Sequence, residues 1–369
     1  MRKRRKRSDL RNRVILYVLA IVWLVVSGIL LQWSVFMYKA VVYDLSMVDF
    51  AARNLLRLLL GVFAFLFGMW MYRLKQGRWA NWVFYASMGL LVMTYVAGKT
   101  FGGASRWIAL GPFTFQPSEF VKYALILYLA NIYVSEGQQR VVGVFWKSLI
   151  ISGFVSMVIL FQPNLSTAVV LLGAVVITLF LLGATLPQLA ASFGFALFMG
   201  VFAYNTFGHV RERVKIFLGK SGSSYKAAQV VQAKVSIVRG GLLGKGPGMG
   251  LQKLGYLPSA DKDYAFSNLF EEYGVLGIPG GALWIVLAIV IITWVGLWAA
   301  QRNGDPFRRF VMVGFVVVFF TFSFVHIAVN LGMLPPTGLP LPFVSYGGSA
   351  LVANAVALGY VFRGVLDAG

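Results

Sequence analysis

The stretch GGLLGKGPGMGLQKLGYLPSADKDYAFSNLFEEYG, residues 240–274, is the polar centre of an otherwise apolar chain. It carries four of the chain's twelve acidic residues: Asp261, Asp263, Glu271 and Glu272. Glycines at 240, 241, 244, 246, 248 and 250 permit sharp turns and close approach of backbone to a ligand. Lys245, Lys253 and Lys262 surround the acids. Glycine-rich backbone, lysines and carboxylates in one loop suggest a site that handles a phosphorylated polar substrate.

On either side the chain is membrane-like. Of 369 residues, 59% are hydrophobic and 12% charged, with a mean hydropathy of +0.77. A soluble domain carries about 25% charged residues. The expected fold is an all-α polytopic membrane protein. Its net charge of +21 then reflects cytoplasmic basic loops and anionic headgroups, not nucleic acid. The absence of cysteine excludes disulfides and thiolate metal sites.

MRKRRKRSDLRNR opens with eight basic residues in thirteen, a cytoplasmic anchor. Apolar segments long enough to cross a bilayer of about 30 Å follow. They lie near 14–36, 52–72, 80–98, 119–135, 143–162, 165–186, 188–207, 268–300, 310–331 and 349–366. The first lacks a small-residue cleavage site and reads as a retained span. Ten spans put both termini in the cytoplasm. Cytoplasmic segments then hold seventeen Lys and Arg, and the short outer segments six. The remaining ten lie in one long extracytoplasmic loop, 208–267, between helices 7 and 8. Within it, VVQAKVSIV (230–238) reads as an amphipathic segment on the membrane surface. Residues 1–369 form a single domain with a basic tail, 1–13.

Further polar residues gather at the outer ends. Glu119 and Lys122 share one face of the fourth span, either in function or as a structural pair. Arg53 and Arg57 sit four apart and could clamp a phosphate. Interfacial anchoring is the competing reading, favoured for Arg57. Arg106 precedes Trp107, another common interfacial pairing. QPNLST (162–167) turns between spans five and six. LPPTGLPLPFVSYGGSA (334–350) is rigid and uncharged, and Gly347, Gly348 and Ser349 offer N–H groups at the start of the tenth helix. GKGPGMG lacks Walker A spacing. His209 and His326 lack metal-like spacing, and His326 reads as a packing residue. Asp263 precedes a helix beginning around 264–268. It is either an N-cap or a general base.

At these residues the chain resembles the SEDS family, the FtsW, RodA and SpoVE proteins. The matching motifs are RWIALGPFTFQPSEFVK, the 162–163 QP turn, QVVQ (229–232), GGLLGKGPGMG, QKLGYLPSADKDYAFSNLFEEYG and PTGLPLPFVSYGGS. GMGLQKLGYLP and PTGLPLPFVSYGGS are slightly closer to the division type. The resemblance implies ten helices and a peptidoglycan glycosyltransferase acting on lipid II. It places Asp263 at the catalytic position and Glu271 and Glu272 at the family's paired acids. It matches Gln116, Glu119 and Lys122 to QPSExxK, Arg53 to the second-span arginine and Arg213 to one after the seventh span. Arg106, Gln232, Lys245, Lys262, Ser345, Gly347 and Gly348 join the substrate-binding candidates. The family usually reads QPDLGT where this chain has Asn164 and Ser166. Asp261 and Lys262 replace its His-Thr, which makes Asp261 a rival to Asp263.

The implied reaction is inverting. A base takes the acceptor hydroxyl proton while undecaprenyl pyrophosphate leaves. No cofactor is required by the motifs; a divalent cation, Mg or Mn, would suit the leaving group, with no metal ligands assigned. The resemblance also implies a nascent glycan strand, a class B penicillin-binding transpeptidase and other elongation or division proteins as partners, together with membrane lipid. It implies the bacterial cytoplasmic membrane as location, with the active site outside. A lipid II flippase and a non-catalytic scaffold are the competing classes.

Overall fold

The computed structural model describes residues 2–97, 99–101, 104–110, 113–137, 141–162, 164–220 and 225–369. Helices dominate. They are α1 (Arg2–Tyr43), α2 (Met47–Met71), α3 (Arg78–Ala97), α4 (Pro117–Ser135), α5 (Phe145–Phe161), α6 (Leu165–Leu181) and α7 (Leu186–Thr206), then α8 (Gly208–Phe217), α9 (Tyr225–Gly240), α10 (Ala265–Tyr273), α11 (Ala282–Arg302), α12 (Pro306–Asn330) and α13 (Gly348–Asp367). Six of them are long and apolar enough to cross a membrane, and α5 and α6 are shorter apolar helices. The protein is a multi-pass membrane protein.

Among the described residues, α1 to α7 and α11 to α13 fall on the ten expected segments, with two corrections. The expected span 268–300 is two elements, because Gly274 adopts φ 60° and 274–281 turns the chain between α10 and α11. The expected outer loop 208–267 contains α8 and α9. Ala233, Ser236 and Gly240 form the buried face of α9, which packs on α10 instead of lying alone on a surface. Between α3 and α4 the chain forms a small antiparallel sheet of β1 (Lys99–Phe101), β2 (Ala104–Leu110) and β3 (Phe113–Phe115) in the order β1-β2-β3.

The bundle is organised on α12 and α13, with 72% and 67% of their most apolar windows buried, against 17% for α7. α12 packs on α4, α6, α11 and α13. α2 lies against α13 at backbone contact: a Cβ on Gly68 would fall 2.0 Å from the Val356 carbonyl oxygen, and one on Gly359 2.0 Å from that of Phe65. Between membrane helices, small residues permit this approach and dispersion rewards it. α5 and α6 pack together, with Ser156 Oγ donating to the Ala168 carbonyl.

The two ends of the bundle differ. At one, Leu10 meets Gly369, and Arg13 lies over Trp294 and Trp298. α1 has 42 residues and is therefore about 63 Å long. It carries Lys39 to the opposite end, where Asp261 accepts from Lys39 Nζ at 3.1 Å.

At that end the glycine-rich loop wraps two buried carboxylates. Glu271 accepts from Arg239 Nε (2.9 Å) and from the N–H groups of Leu251 and Gln252 (3.1 Å each). Glu272 accepts from Lys253 Nζ (2.6 Å), Gly248 N (3.0 Å) and Ser34 Oγ. Buried carboxylates persist only when their lone pairs are filled in this way. The loop's ligand is thus the chain's own α10, not a phosphate: the glycines serve close approach to Glu271 and Glu272. A Cβ on Gly240 would lie 2.0 Å from the Phe270 carbonyl oxygen. Gly240→Ala is therefore expected to cost about 1–3 kcal/mol through overpacking, measured as a lowered unfolding midpoint in detergent. Gly194→Ala, inside α7 where a Cβ meets nothing within 4 Å, should leave the midpoint unchanged or raise it slightly.

Candidate active site

The turn containing Asp261, Lys262 and Asp263 is held by its main chain. Three consecutive carbonyls accept three donors from elsewhere. Tyr346 N donates to Asp261 O (2.7 Å), Ser345 Oγ to Lys262 O (2.7 Å) and Asn330 Nδ2 to Asp263 O (3.1 Å). Ser345 Oγ also accepts from Leu341 N, which closes the 341–345 turn onto the same segment.

Asp263 is not the N-cap of α10. That position is Tyr264, whose side chain caps nothing. Asn330, at the end of α12, does the capping instead. Its Oδ1 accepts from Ser267 N (3.0 Å) and Ser267 Oγ (2.8 Å), while Nδ2 also donates to His326 O. Asp263 is half-buried, and its Oδ2 lies 3.8 Å from where a Cβ on Gly338 would stand.

Arg213 of α8 is within electrostatic reach of Asp263. Its Nη1 donates to Ser166 Oγ (2.7 Å) and Pro336 O (3.3 Å). Asp263, Arg213, Ser166 and the 336–338 segment therefore come together from four distant motifs. Burial pushes the Arg213 guanidinium down from its ordinary value, and Asp263 pulls it back up. The Tyr264 phenol is pushed up to about 12, by burial first and then by Asp263, with Arg213 opposing. Tyr264 thus stays a neutral donor beside the carboxylate at neutral pH.

Asp261 and Lys39 line a cavity of about 530 Å³ together with Asp44, Asp49, Arg53, Lys262 and Tyr346. The rival carboxylates thus have different neighbours, Lys39 for Asp261 and Gly338 and Arg213 for Asp263. Lys262 is exposed at the cavity, and Arg53 Nε donates to Asp49 O. Arg57 is not the interfacial anchor expected of it. It is buried, its Nη2 donates to Gln32 Oε1, and its guanidinium lies 4.5 Å from the Tyr346 ring centroid.

The other candidates lie elsewhere. Glu119 and Lys122 form a fully buried pair at 2.7 Å, with Nζ 4.4 Å from the Phe322 ring centroid. Gln116 joins α4 to α13: its N–H donates to Ser349 Oγ (3.0 Å), which in turn donates to Thr114 O. Gly347 and Gly348 open α13 as its N-cap and first residue. Gln232 is half-buried on α9, and Lys245 is exposed, its N–H donating to Glu271 O. Arg106 lies in β2, with its side chain outside the described residues, as is Pro163 of the QP turn. His326 packs as expected, with Nδ1 2.7 Å from the Leu339 carbonyl oxygen. Among the described residues no three His, Cys, Asp or Glu side chains gather as metal ligands.

Sequence reasoning missed Asn330, Lys39 and Tyr346. Asn330 carries one signal, a carboxamide one residue before LGMLPPTG at the end of an apolar helix.

A family model described as "Cell cycle protein", FTSW_RODA_SPOVE, matches residues 14–365. The chain belongs to the FtsW/RodA/SpoVE family. It is 35% identical over 316 residues to a probable peptidoglycan glycosyltransferase FtsW of Allochromatium vinosum, covering 81% of this chain and 77% of that protein. It is 31% identical over 365 residues to the stage V sporulation protein E of Bacillus subtilis, covering 95% and 96%. Among solved structures, one described as structural coordination of polymerization and crosslinking by a peptidoglycan synthase complex superposes with TM-score 0.75 at 26% identity, over 95% of this chain and 97% of that one. The Thermus thermophilus rod shape determining protein RodA shares the fold, with TM-score 0.65 at 24% identity, over 95% and 96%.

The Asn330 clamp is expected to set the local stability of the 261–263 turn and the start of α10. Asn330→Ala removes a cap worth about 1 kcal/mol, so amide exchange over 264–268 should speed up roughly fivefold while α11 keeps its protection. Hydrogen-exchange mass spectrometry reads both segments in one experiment.

Proposed function

We propose that this protein is a peptidoglycan glycosyltransferase that polymerises lipid II on the outer face of the bacterial cytoplasmic membrane. The observation that carries the reading is Asp263. Its main chain is clamped by Asn330, and its carboxylate lies near Gly338 and within electrostatic reach of Arg213. Membership of a family with relatives named peptidoglycan glycosyltransferase FtsW supports it. The placement of the site at the end of the bundle away from both termini supports the outer location.

In this mechanism Asp263 accepts the proton of the acceptor sugar's 4-hydroxyl as its oxygen bonds to the donor's anomeric carbon. The anomeric C–O bond to pyrophosphate breaks, and undecaprenyl pyrophosphate takes that electron pair. A single displacement turns an alpha-linked donor into a beta-1,4 product, so a second nucleophilic carboxylate is unnecessary. Arg213 stabilises the ionised carboxylate by Coulomb attraction in a partly dehydrated site. The clamped turn fixes the base before substrate arrives, which is where positioning lowers a barrier. Two apolar cavities suit the polyprenyl tails. One of about 660 Å³ is lined by Phe67, Trp79 and Phe120, and one of about 440 Å³ lies between α1 and α2 beside Val22 and Leu66. A class B penicillin-binding transpeptidase is the proposed partner that cross-links the product.

The enzyme reading separates from a flippase or scaffold in a polymerisation assay. Purified protein with its cognate transpeptidase and lipid II should yield glycan chains resolved by length on a gel. Asp263→Asn is expected to lower polymerisation by about 10²–10⁴-fold, the usual contribution of a general base. Asp261→Asn should retain polymerisation, since its carboxylate pairs with Lys39. Normal polymer from Asp263→Asn would remove Asp263 as base. Failure of wild type with a competent partner would move the flippase or scaffold ahead.

A further inference from the structure

The short helix α8 carries four charged side chains, Arg211, Glu212, Arg213 and Lys215, and they part ways. Arg211 turns back to α7, where its Nη2 donates to Asn205 O (2.9 Å). Glu212 accepts from Lys226 Nζ of α9 at 3.1 Å in an exposed pair. Lys215 is exposed. Arg213 turns into the bundle. A guanidinium has five N–H donors and keeps its charge, so its direction is set by the acceptors it finds. Nη1 finds two: Ser166 Oγ at 2.7 Å and Pro336 O at 3.3 Å. The first distance is that of a charge-assisted bond, and the second is long. The stronger of the two holds is the Ser166 hydroxyl.

Ser166 is the second residue of α6 and is buried. The first turn of a helix carries partial positive charge, and that of α6 contains no acidic side chain. The side chain of its N-cap, Asn164, makes no capping bond. Arg213 therefore meets a helix end of like sign, and the Ser166 oxygen is the acceptor that lets it stay there. Among the charges acting on Arg213, Asp263 is the strongest, ahead of Glu212 and Tyr264. Coulomb attraction draws the guanidinium toward Asp263 but does not orient it. Orientation comes from the hydroxyl and the Pro336 carbonyl. The usual glycine of QPDLGT has no side chain to offer at this position, so the bond belongs to this chain's own sequence. We infer that Ser166 is a positioning residue, whose hydroxyl fixes the Arg213 guanidinium where it stabilises the Asp263 carboxylate. Ser166 acts through Arg213 and takes no proton itself. The inference rests on the glycosyltransferase reading of the Asp263 site.

The test is a double-mutant cycle on lipid II polymerisation, using the full chain with its transpeptidase partner. Ser166→Ala should lower kcat about tenfold, the usual effect of losing one hydrogen bond to a charged group, with KM within about twofold. Ser166→Thr keeps the hydroxyl and should restore most of the rate. Arg213→Gln should lower the rate further. Adding Ser166→Ala to Arg213→Gln should change nothing more, because a residue that acts through another is not additive with it. Ser135→Ala, which removes an exposed hydroxyl on α4, should behave as wild type. If Ser166→Ala does not fold, Ser166→Cys takes its place in the cycle, since a thiol is a weak acceptor. A second readout needs no turnover. Phenylglyoxal should modify Arg213 severalfold faster in Ser166→Ala than in wild type or Ser166→Thr, read on the Arg213 peptide by mass spectrometry. Full kcat in a folded Ser166→Ala, no rescue by threonine, additive losses with Arg213→Gln, or unchanged Arg213 reactivity would each overturn the inference. Wild type that makes no polymer beside a competent partner, with the reactivity pattern intact, would count against the glycosyltransferase reading and support the Ser166–Arg213 hold.

Discussion

Three peptide carbonyls in a row, those of Asp261, Lys262 and Asp263, are each taken by a donor from the last third of the chain. Near a bilayer an unpaired carbonyl is costly, and a run of three in a non-helical turn is tolerated only where protein fills the missing partners. Tyr346, Ser345 and Asn330 fill them. The 341–346 turn and the end of α12 are thereby welded to the segment that carries both carboxylates. Because the main chain is held, the side chains of Asp261 and Asp263 have settled directions. One turns to Lys39 and the other lies beside Gly338 within reach of Arg213.

The same end of the bundle rests on a second polar economy, that of Glu271 and Glu272. Each is almost wholly buried and each is filled by a basic side chain and main-chain N–H groups from the 240–253 loop. Taking one partner away would leave a buried charge uncompensated, which is worse than never having buried the pair. This explains why so polar a loop is so rich in glycine. Gly240 and Gly244 bring their backbones to van der Waals limits against Phe270 and Glu272. The phosphate-loop likeness of GKGPGMG is thus a likeness of chemistry, since N–H groups gather around an anion in both cases. Here the anion is covalently part of the fold.

Arg57 shows how a membrane changes the meaning of a residue. From spacing, a second arginine four residues after the first reads as a side chain reaching back to headgroups. The approach of α1 and α2 to the 343–346 turn removes that exit and turns the guanidinium toward Gln32 and Tyr346. Glu119 and Lys122 meet the opposite fate. Their spacing on α4 allowed either a functional or a structural pair, and packing against Phe322 closes them off together.

By itself the sequence determined the membrane class, the approximate positions of most apolar helices and the motif that holds Asp263. Those are local or additive properties: hydropathy sums over a window, and helix-breaking glycines and prolines act where they stand. What only the tertiary structure decided is the partner of each polar group. Asn330 caps a helix 63 residues away, Asp261 finds Lys39 across 222 positions, and Arg213 bridges Ser166 and Pro336. A hydrogen bond depends on distances of a few ångströms between segments remote in the chain, and no pattern of spacing encodes them. Whether a carboxylate becomes a cap, a strut or a base is settled by which neighbours arrive, and that is a property of the packed bundle.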